Sequence, residues 1–268
     1  MSKIFFTDLD GTLLTKEKKV SPKTMDALIR FTSDGNHFAI NTGRAIDSAK
    51  AVQRENNLFF PGSYLIGFNG AEIYDCDTGK DVFRSGIPYE LVSEIFALAK
   101  EHGMHVHTYN DDSIITPAED EELTYYRRVI KTPYKVSSDI CSDLTAEPCK
   151  IIGIELNDKE KCDRFKAAVE ELGGDRLTLL YSNPYYLEIF NSEAGKGSAV
   201  KRLADHLGIS IADTIAAGDE ENDISMIRAA GLGVAMQNAI DAVKKSADII
   251  TETDNDNDGL APILLGAL

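Results

Sequence analysis

Apolar residues along the first part of the chain fall into short strand-like runs separated by segments of helical periodicity. The runs are residues 3–7, 37–41 and 64–68, and the helical segments are 21–33 and 45–56. Ser21 followed by Pro22 is typical of a helix start, because serine caps free N–H groups and proline fits the first turn. Strands that alternate with helices in this way predict a parallel sheet covered by helices.

The pattern changes after residue 84, where a hairpin predicted over 71–84 ends. The next segment has its own predicted elements: helix 88–102, strands 104–109 and 113–116, an acidic helix around 119–130, strand 151–156, helix 159–172 and strand 177–181. The first kind of alternation returns at Leu187, with helix 196–207, strand 214–217, helix 222–229, strand 232–235, helix 238–245 and strand 248–250. The middle segment therefore reads as an insertion between two halves of one domain.

These elements predict an α/β fold in which a Rossmann-like, doubly wound and mostly parallel sheet forms the core and a smaller α/β cap domain is inserted into it. We place the discontinuous catalytic core at 1–84 and 185–268, and the cap at 85–184. The length of 268 residues is sufficient for two domains.

Composition and charge limit the classes of molecule that this protein could bind. The chain is 43% hydrophobic and 27% charged, with a net charge of −16, which argues against binding to nucleic acid or to an anionic membrane surface. The four cysteines have no zinc-type spacing and read as reduced thiols. Because the sequence has no signal-peptide layout and no run long enough to span a membrane, we expect a cytoplasmic protein. We further expect a monomer or a small homo-oligomer.

Two carboxylates follow the first strand in the segment Asp8-Leu9-Asp10-Gly11-Thr12. The carboxyl ends of strands in open α/β sheets line the crevice where ligands bind, and Gly11 allows a sharp turn there. Carboxylate oxygens attract hard cations such as Mg²⁺. The segment therefore indicates a metal site in which one carboxylate remains available for attack.

Three further segments lie at predicted strand ends or helix starts in the rest of the chain. They are Thr42-Gly43-Arg44, Gly195-Lys196-Gly197-Ser198 and Gly218-Asp219-Glu220-Glu221-Asn222-Asp223. Helix N-termini offer unpaired N–H groups and a positive dipole end to phosphate. Asp219 and Asp223 are close enough in sequence to reach one ligand, so the segments predict a phosphate site beside the metal.

The four segments, in this order, resemble the haloacid dehalogenase superfamily of phosphatases, over the whole chain. The chain is most similar to the Cof-type sugar-phosphate phosphatases, which carry a large α/β cap between the second and third motifs. Phe68-Asn69-Gly70-Ala71 and Asn257-Asp258-Gly259-Leu260 also resemble this subgroup.

The resemblance implies a role for each matching residue. Asp8 would be the nucleophile that forms an aspartyl-phosphate, and Asp10 would be the general acid and then the general base. Asp8, Asp10 (through its backbone carbonyl) and Asp219 would hold Mg²⁺. Thr42, Gly43, Lys196 and Asn222 would bind the phosphoryl oxygens, while Thr12 and Asp223 would support the site, with Asp223 pairing with Lys196 or with groups around the metal. Arg44 is left without a catalytic assignment.

The sequence leaves several alternatives open. The substrate would be a small phosphorylated metabolite, such as a sugar phosphate, but a phosphomutase of the same superfamily or a noncatalytic phosphometabolite sensor would carry the same segments. His102, His105 and His107 could form a metal cluster, although the last two alternate like one face of a strand. Several tyrosines could stack on a sugar or pack in the core: Tyr109, Tyr125, Tyr126, Tyr185 and Tyr186.

Overall fold

The computed structural model describes residues 2–110, 112–128 and 130–267, and gives only the backbone of Asn183. The chain divides into two compact units: residues 1–83 with 195–268, and residues 84–194. We call these the core unit and the inserted unit.

Strands and helices are numbered in chain order. The strands are β1 Ile4–Thr7, β2 His37–Asn41, β3 Ser63–Gly67, β4 Glu72–Asp75, β5 Lys80–Arg84, β6 His105–Tyr109, β7 Ile114–Thr116, β8 Tyr134–Val136, β9 Ile151–Ile154, β10 Leu177–Asn183, β11 Tyr186–Asn191, β12 Thr214–Gly218, β13 Leu232–Ala235 and β14 Ile249–Ile250. The helices are α1 Pro22–Ser33, α2 Ile46–Glu55, α3 Tyr89–His102, α4 Glu121–Tyr126, α5 Ile140–Asp143, α6 Lys159–Gly173, α7 Lys196–Leu207, α8 Ile224–Ala229, α9 Asp241–Lys244 and α10 Leu260–Gly266.

The sheet of the core unit has the order β14-β13-β12-β1-β2-β3-β4-β5. The neighbours from β14 to β3 run parallel, and β4 is antiparallel to β3. Because β1 lies in the middle, β12 and β2 are its two neighbours. The residues that follow these three strands therefore come together at one edge of the sheet, as the sequence predicts.

Helices cover both faces of this sheet, as expected for a doubly wound fold. Phe5 of β1 packs in one hydrophobic cluster with side chains of α1, α2 and α10, whereas Ile4 and Phe6 pack in another with α7. Strands buried on both faces read as continuous apolar runs, which is the pattern of Ile4-Phe5-Phe6. The hydroxyl of Ser21 caps α1 by accepting from the N–H of Thr24, which confirms the predicted helix start. The predicted α/β class with an inserted α/β segment is confirmed.

The inserted unit has a sheet of its own, in the order β10-β11-β9-β6-β7-β8. Its pairs are antiparallel except β7 with β8. One face packs on α3 and α6 through residues such as Val106, Ile151 and Phe165. The other face carries the alternate residues of β6, which are His105, His107 and Tyr109.

The second boundary of the inserted unit lies at Gly195 rather than at the predicted residue 185. The run around Leu187 belongs to β11, which pairs with β9 and β10 and not with any strand of the core sheet. The prediction that this run returns the chain to the core was therefore wrong. Burial made the run resemble a core strand, but burial does not specify the pairing partner.

The structure also differs from the sequence analysis in one predicted helix and in two short elements that were not predicted. The helix predicted over 119–130 ends at Tyr126, and Val129 of that range lies outside the described residues. The short elements β8 and α5 had no predicted counterpart, because three or four residues are too few to show a period.

Candidate active site

Asp8 and Asp219 lie side by side because they follow neighbouring parallel strands. Asp8 comes directly after β1 and Asp219 directly after β12, and the N–H of Asp8 donates to the carbonyl of Ala217 at 3.0 Å. Gly11 lies against Asp219 with φ +83°, and a Cβ at Gly11 would be 2.3 Å from Asp219 Oδ2. A side chain at Gly11 would therefore displace the Asp219 carboxylate, so the glycine serves close approach as well as the turn.

Lys196 forms the charged centre of this site. Its ammonium lies 2.6 Å from Asp8 Oδ1 and 2.6 Å from Asp223 Oδ1, and its side chain is completely buried. Burial alone would lower the pKa of Lys196, but the two carboxylates together raise this pKa well above its ordinary value. The lysine is therefore a fixed cation, held between two carboxylates.

Asp223 supports the site through both of its oxygens. While Oδ1 binds Lys196, Oδ2 accepts hydrogen bonds from the backbone N–H groups of Asp219 at 2.9 Å and of Glu220 at 3.1 Å. Asp223 is fully buried at 0% exposure. It thus fixes the position of the loop after β12 as well as the position of Lys196.

The site holds more negative than positive charge. Burial, which exceeds the effect of Lys196, raises the pKa of Asp8 to about 6. Burial and the nearby Asp8 and Asp223 raise the pKa of Asp219 to about 7, even though Thr12 Oγ1 donates to Asp219 Oδ1 at 2.6 Å. The site thus buries three carboxyl groups, those of Asp8, Asp219 and Asp223, with Lys196 as the cation bound to two of them.

Three carboxylates at this edge could hold a metal ion. Ligand oxygens of Asp8, Asp219 and Asp223 lie within 4.8 Å of one another, and this is the only such group among the residues that the structure describes. The donors are hard oxygens and the site has surplus negative charge, so the residues fit a hard divalent cation. The side chain of Asp10 is not a member of this group, and the predicted metal ligand of Asp10 is its backbone carbonyl.

The carboxylate of Asp10 is directed to two cations instead. Arg44 donates to both of its oxygens, at 2.9 Å from Nε and 2.8 Å from Nη2, and Lys18 donates at 2.7 Å. Burial would raise the pKa of Asp10, but hydrogen bonds from Lys18 and Arg44 outweigh it and hold this pKa below its ordinary value. Arg44 thereby gains a contact that the sequence left unassigned, and Lys18 is a partner that sequence reasoning missed.

The predicted phosphate-binding residues lie around the same edge. Thr42 and Gly43 follow β2, the other neighbour of β1, and Thr42 donates its N–H to the carbonyl of Ile66 at 2.9 Å. Asn222 lies in the loop after β12, and its Nδ2 donates to Asn69 Oδ1 at 3.0 Å. The sequence analysis noted Asn69 without giving it a role. Asn69 and its neighbours Phe68 and Gly70 all have left-handed backbone conformations, and the Asn-Gly pair at 69–70 is a sequence signal for such a turn.

The histidines of β6 form a hydrogen-bonded chain in the inserted unit. Asp120 binds His105 Nδ1 at 2.7 Å, His105 binds His107 at 2.9 Å, and His107 binds the hydroxyl of Tyr109 at 3.1 Å. Tyr109 in turn lies 2.6 Å from the hydroxyl of Tyr126. The alternative in which these histidines hold a metal gains no support, because their ring nitrogens are joined to one another and to these partners. His102 points elsewhere and packs against Phe165, with ring centroids 6.0 Å apart.

The tyrosines of the inserted unit pack mostly edge to face. The ring of Tyr126 lies 5.4 Å from that of Tyr186, and the ring of Tyr125 lies 5.9 Å from that of Tyr185. Lys150 and Glu188 form a buried ion pair at 3.5 Å near this group. This face thus combines aromatic rings with one pair of opposite charges.

The structure thus brings a lysine between two carboxylates at the carboxyl edge of a doubly wound sheet with an inserted α/β unit, which is the arrangement that the sequence resemblance implies. The family model of haloacid dehalogenase-like hydrolases matches residues 5–264, so the chain belongs to that family. The resemblance inferred from the four sequence segments is thereby confirmed.

Individual relatives agree with this assignment over almost the whole chain. A 5-amino-6-(5-phospho-D-ribitylamino)uracil phosphatase of Bacillus subtilis, YwtE, is 32% identical over 277 residues, covering 95% of this chain and 94% of its own. A haloacid dehalogenase-like hydrolase from Bacteroides thetaiotaomicron superimposes with a TM-score of 0.86 at 28% identity, over 100% of both chains. TM0651 from Thermotoga maritima gives a TM-score of 0.86 at 29% identity, over 99% of this chain and 97% of its own. The protein is accordingly a phosphatase of the haloacid dehalogenase type.

No helix of the described residues is both long and apolar enough to cross a membrane.

Proposed function

We propose that this protein is a Mg²⁺-dependent phosphatase that hydrolyses the phosphomonoester of a small metabolite, a sugar phosphate or a related polyol phosphate, through an aspartyl-phosphate on Asp8. The observation that carries the proposal is the position of Asp8, which follows the central strand and is bound by Lys196 at 2.6 Å beside Asp219. In this arrangement one carboxylate is oriented for attack, and fixed charges surround it.

Asp8 is the nucleophile in this proposal. Because Lys196 binds Oδ1, the carboxylate is held in one orientation, and we assign the attack on phosphorus to Oδ2. A bond forms between Oδ2 and phosphorus while the bond from phosphorus to the leaving oxygen breaks. Water then attacks the same phosphorus atom, releasing inorganic phosphate and restoring the Asp8 carboxylate.

Asp10 moves the protons in both steps. It gives a proton to the leaving oxygen in the first step and takes one from water in the second. Arg44 and Lys18 keep Asp10 ionised in the structure, which is the form needed to accept the proton of water. A bound phosphate brings negative charge near Asp10 and so favours the protonated form needed in the first step.

The phosphoryl oxygens would be bound by Lys196, Thr42, the backbone N–H of Gly43 and Asn222. These groups come from three separate loops at one edge of the sheet, so they can surround a phosphoryl group on several sides. Fixed donors of this kind stabilise charge in the transition state without reorganising.

Mg²⁺ would be held by Asp8 and Asp219, with the backbone carbonyl of Asp10 as a further ligand, and Thr12 and Asp223 would support these residues. When bound, the ion would neutralise charge between carboxylate and phosphate and orient the phosphoryl group. The closeness of the carboxylates of Asp8, Asp219 and Asp223 supports this assignment, because their ligand oxygens lie within 4.8 Å of one another.

The inserted unit would set the specificity of the enzyme as its cap domain. Its polar face carries tyrosines and the Lys150–Glu188 pair, which are groups that suit a hydroxylated substrate. The relative YwtE is named for a substrate with a phosphate on a ribityl chain, which supports a phosphorylated sugar or polyol as the substrate class.

The test is phosphate release from sugar phosphates, polyol phosphates, nucleotides and p-nitrophenyl phosphate, with Mg²⁺ or with EDTA. We expect release that requires Mg²⁺ and that Asp8→Asn lowers by about 10³-fold or more, since the nucleophile is lost. Asp205→Asn, which changes an exposed aspartate of α7, is the matched control and should retain activity. Isomerised product without phosphate release would instead establish a phosphomutase, and binding without any turnover would establish a sensor.

A further inference from the structure

Three successive residues after β3 adopt left-handed backbone conformations. Phe68 has φ +49°, Asn69 has φ +54° and Gly70 has φ +97°. Two of the three have side chains, and such residues rarely adopt this conformation unless the surrounding structure requires it. The turn 68–70 is therefore held in place by its contacts.

Backbone hydrogen bonds join this turn to the loop after β2. The N–H of Phe68 donates to the carbonyl of Arg44 at 2.8 Å, and the N–H of Asn69 donates to the carbonyl of Thr42 at 3.0 Å. The turn also packs on the loop that precedes Lys196, because a Cβ at Gly70 would be 2.3 Å from the carbonyl oxygen of Gly195. One short segment thus contacts two of the three loops assigned to phosphate binding.

The side chain of Asn69 reaches the third loop. Its Oδ1 accepts from Asn222 Nδ2 at 3.0 Å, and the same oxygen would lie 3.1 Å from a Cβ at Gly43. Asn69 is 7% exposed, whereas Asn222 is an exposed residue of its loop, and the hydrogen bond between them is partly buried. The buried asparagine therefore fixes the orientation of the exposed one.

We propose that Asn69 is a positioning residue for phosphate binding, which orients the Asn222 amide by accepting one of its two Nδ2 hydrogens. The second hydrogen of Nδ2 is then directed by the same bond and is available to a phosphoryl oxygen. If the amide were rotated by half a turn, Asn222 would present a carbonyl oxygen, which repels phosphate. The proposal rests on the proposed function, in which Asn222 binds the phosphoryl group.

The experiment compares Asn69→Gly with Asn57→Gly. Asn57 is also left-handed, with φ +55°, but it is exposed and follows the end of α2 that is opposite to the loop 42–44. Glycine adopts this conformation readily, so both variants keep the turn and lose only the side chain. We expect Asn69→Gly to raise KM and to weaken inorganic phosphate binding about tenfold, the effect of one hydrogen bond, with both variants equally folded by circular dichroism. Asn57→Gly should match the wild type.

A double-mutant cycle with Asn222→Ala tests whether Asn69 acts through Asn222. In that background Asn69→Gly should have almost no further effect on phosphate affinity, because the group that it positions is already absent. Additive effects of the two changes, or an unchanged phosphate affinity in Asn69→Gly, would overturn the proposal.

Calorimetric titration with inorganic phosphate separates this proposal from the proposed function. If the wild type binds phosphate but hydrolyses no ester, the proposed function fails, and the cycle on phosphate affinity still decides the role of Asn69. If the wild type does not bind phosphate in the presence of Mg²⁺, this site is not a phosphate site and the positioning role is excluded.

Discussion

The core unit and the inserted unit both bury polar groups, but they do so in opposite ways. At the core edge, Lys196 lies between the carboxylates of Asp8 and Asp223, and burial raises the pKa values of Asp8 and of the nearby Asp219 to about 6 and 7. On the inserted sheet, Asp120, His105, His107, Tyr109 and Tyr126 hydrogen-bond one to the next, and burial keeps His107 uncharged by holding its pKa well below 6.5. The core group has three carboxylates and one cation, whereas the polar groups of the chain on the inserted sheet hydrogen-bond to one another. A buried polar cluster thus indicates a binding site when its charges do not balance, and a structural network when its hydrogen bonds close.

Replacing Lys196 by methionine should have the largest effect of the changes that test this comparison. The variant leaves Asp8 and Asp223 buried without their cation, so we expect a loss of about 3–5 kcal/mol in the free energy of unfolding and of nearly all phosphatase activity. Urea denaturation and phosphate release measure the two effects. Lys201→Met, an exposed position on the same helix α7, is the control. Equal stability of the two variants would show that Lys196 does not compensate the carboxylates.

Replacing Asp219 by asparagine should stabilise the metal-free protein. In the folded state the pKa of Asp219 is about 7 instead of 3.8, so the folded protein binds more protons than the unfolded chain between these values, and stability falls as pH rises through that window. The asparagine side chain would keep an oxygen for Thr12 but carry no charge. We expect a gain on the order of 2 kcal/mol at pH 8 in EDTA, which allows for solvent screening, and little gain near pH 4.

The same variant should lose its response to Mg²⁺. In the wild type, ion binding stabilises the folded state, and the thermal midpoint should rise with Mg²⁺ concentration. Thermal melts at pH 8 over a Mg²⁺ series measure this rise, with Asp205→Asn as the control. A rise in Asp219→Asn equal to that of the wild type would remove Asp219 from the metal site.

Replacing His107 by phenylalanine should have the smallest effect. It removes the hydrogen bond to His105 Nε2 inside the unit, which should cost about 1–2 kcal/mol at pH 8. Because the pKa of His107 is depressed in the folded state, wild-type stability should fall as the pH drops below 6.5, and the variant should lack this part of the acid dependence. Urea denaturation at pH 8 and pH 5, with exposed His206→Gln as the control, tests both statements. A constant difference between wild type and variant at the two pH values would contradict them.

The positions of residues at the carboxyl edge of the core sheet can be predicted from sequence because each depends only on the strand that precedes it. A carboxylate that follows a buried parallel strand lies at the carboxyl end of the sheet, which places Asp8 and Asp219 at the same edge, while their direct contact also needs the observed pairing of β1 with β12. The contacts of Asp10 and Asn69 could not be predicted in this way. The Arg44 and Lys18 contacts depend on side-chain directions after two different turns, and the Asn69 contact depends on a left-handed backbone that its sequence allows but does not require. The pairing of β11 was missed for a similar reason, since an apolar run shows that a strand is buried but not which sheet it joins.

The hydrogen-bonded chain on β6 has a direction. Burial would raise the pKa of Asp120, but hydrogen bonds from His105 and from the N–H of Leu123 hold this pKa below its ordinary value, so the carboxylate only accepts. When both rings are neutral, His105 must then donate from Nδ1 and accept at Nε2, and His107 must donate from Nδ1 and accept at Nε2 from Tyr109. Each ring has one tautomer left to it, and every hydrogen in the chain points toward the same end. In that state the Asp120 carboxylate, which lies outside the strand, selects the tautomers of His105 and His107 and makes Tyr109 a donor to His107.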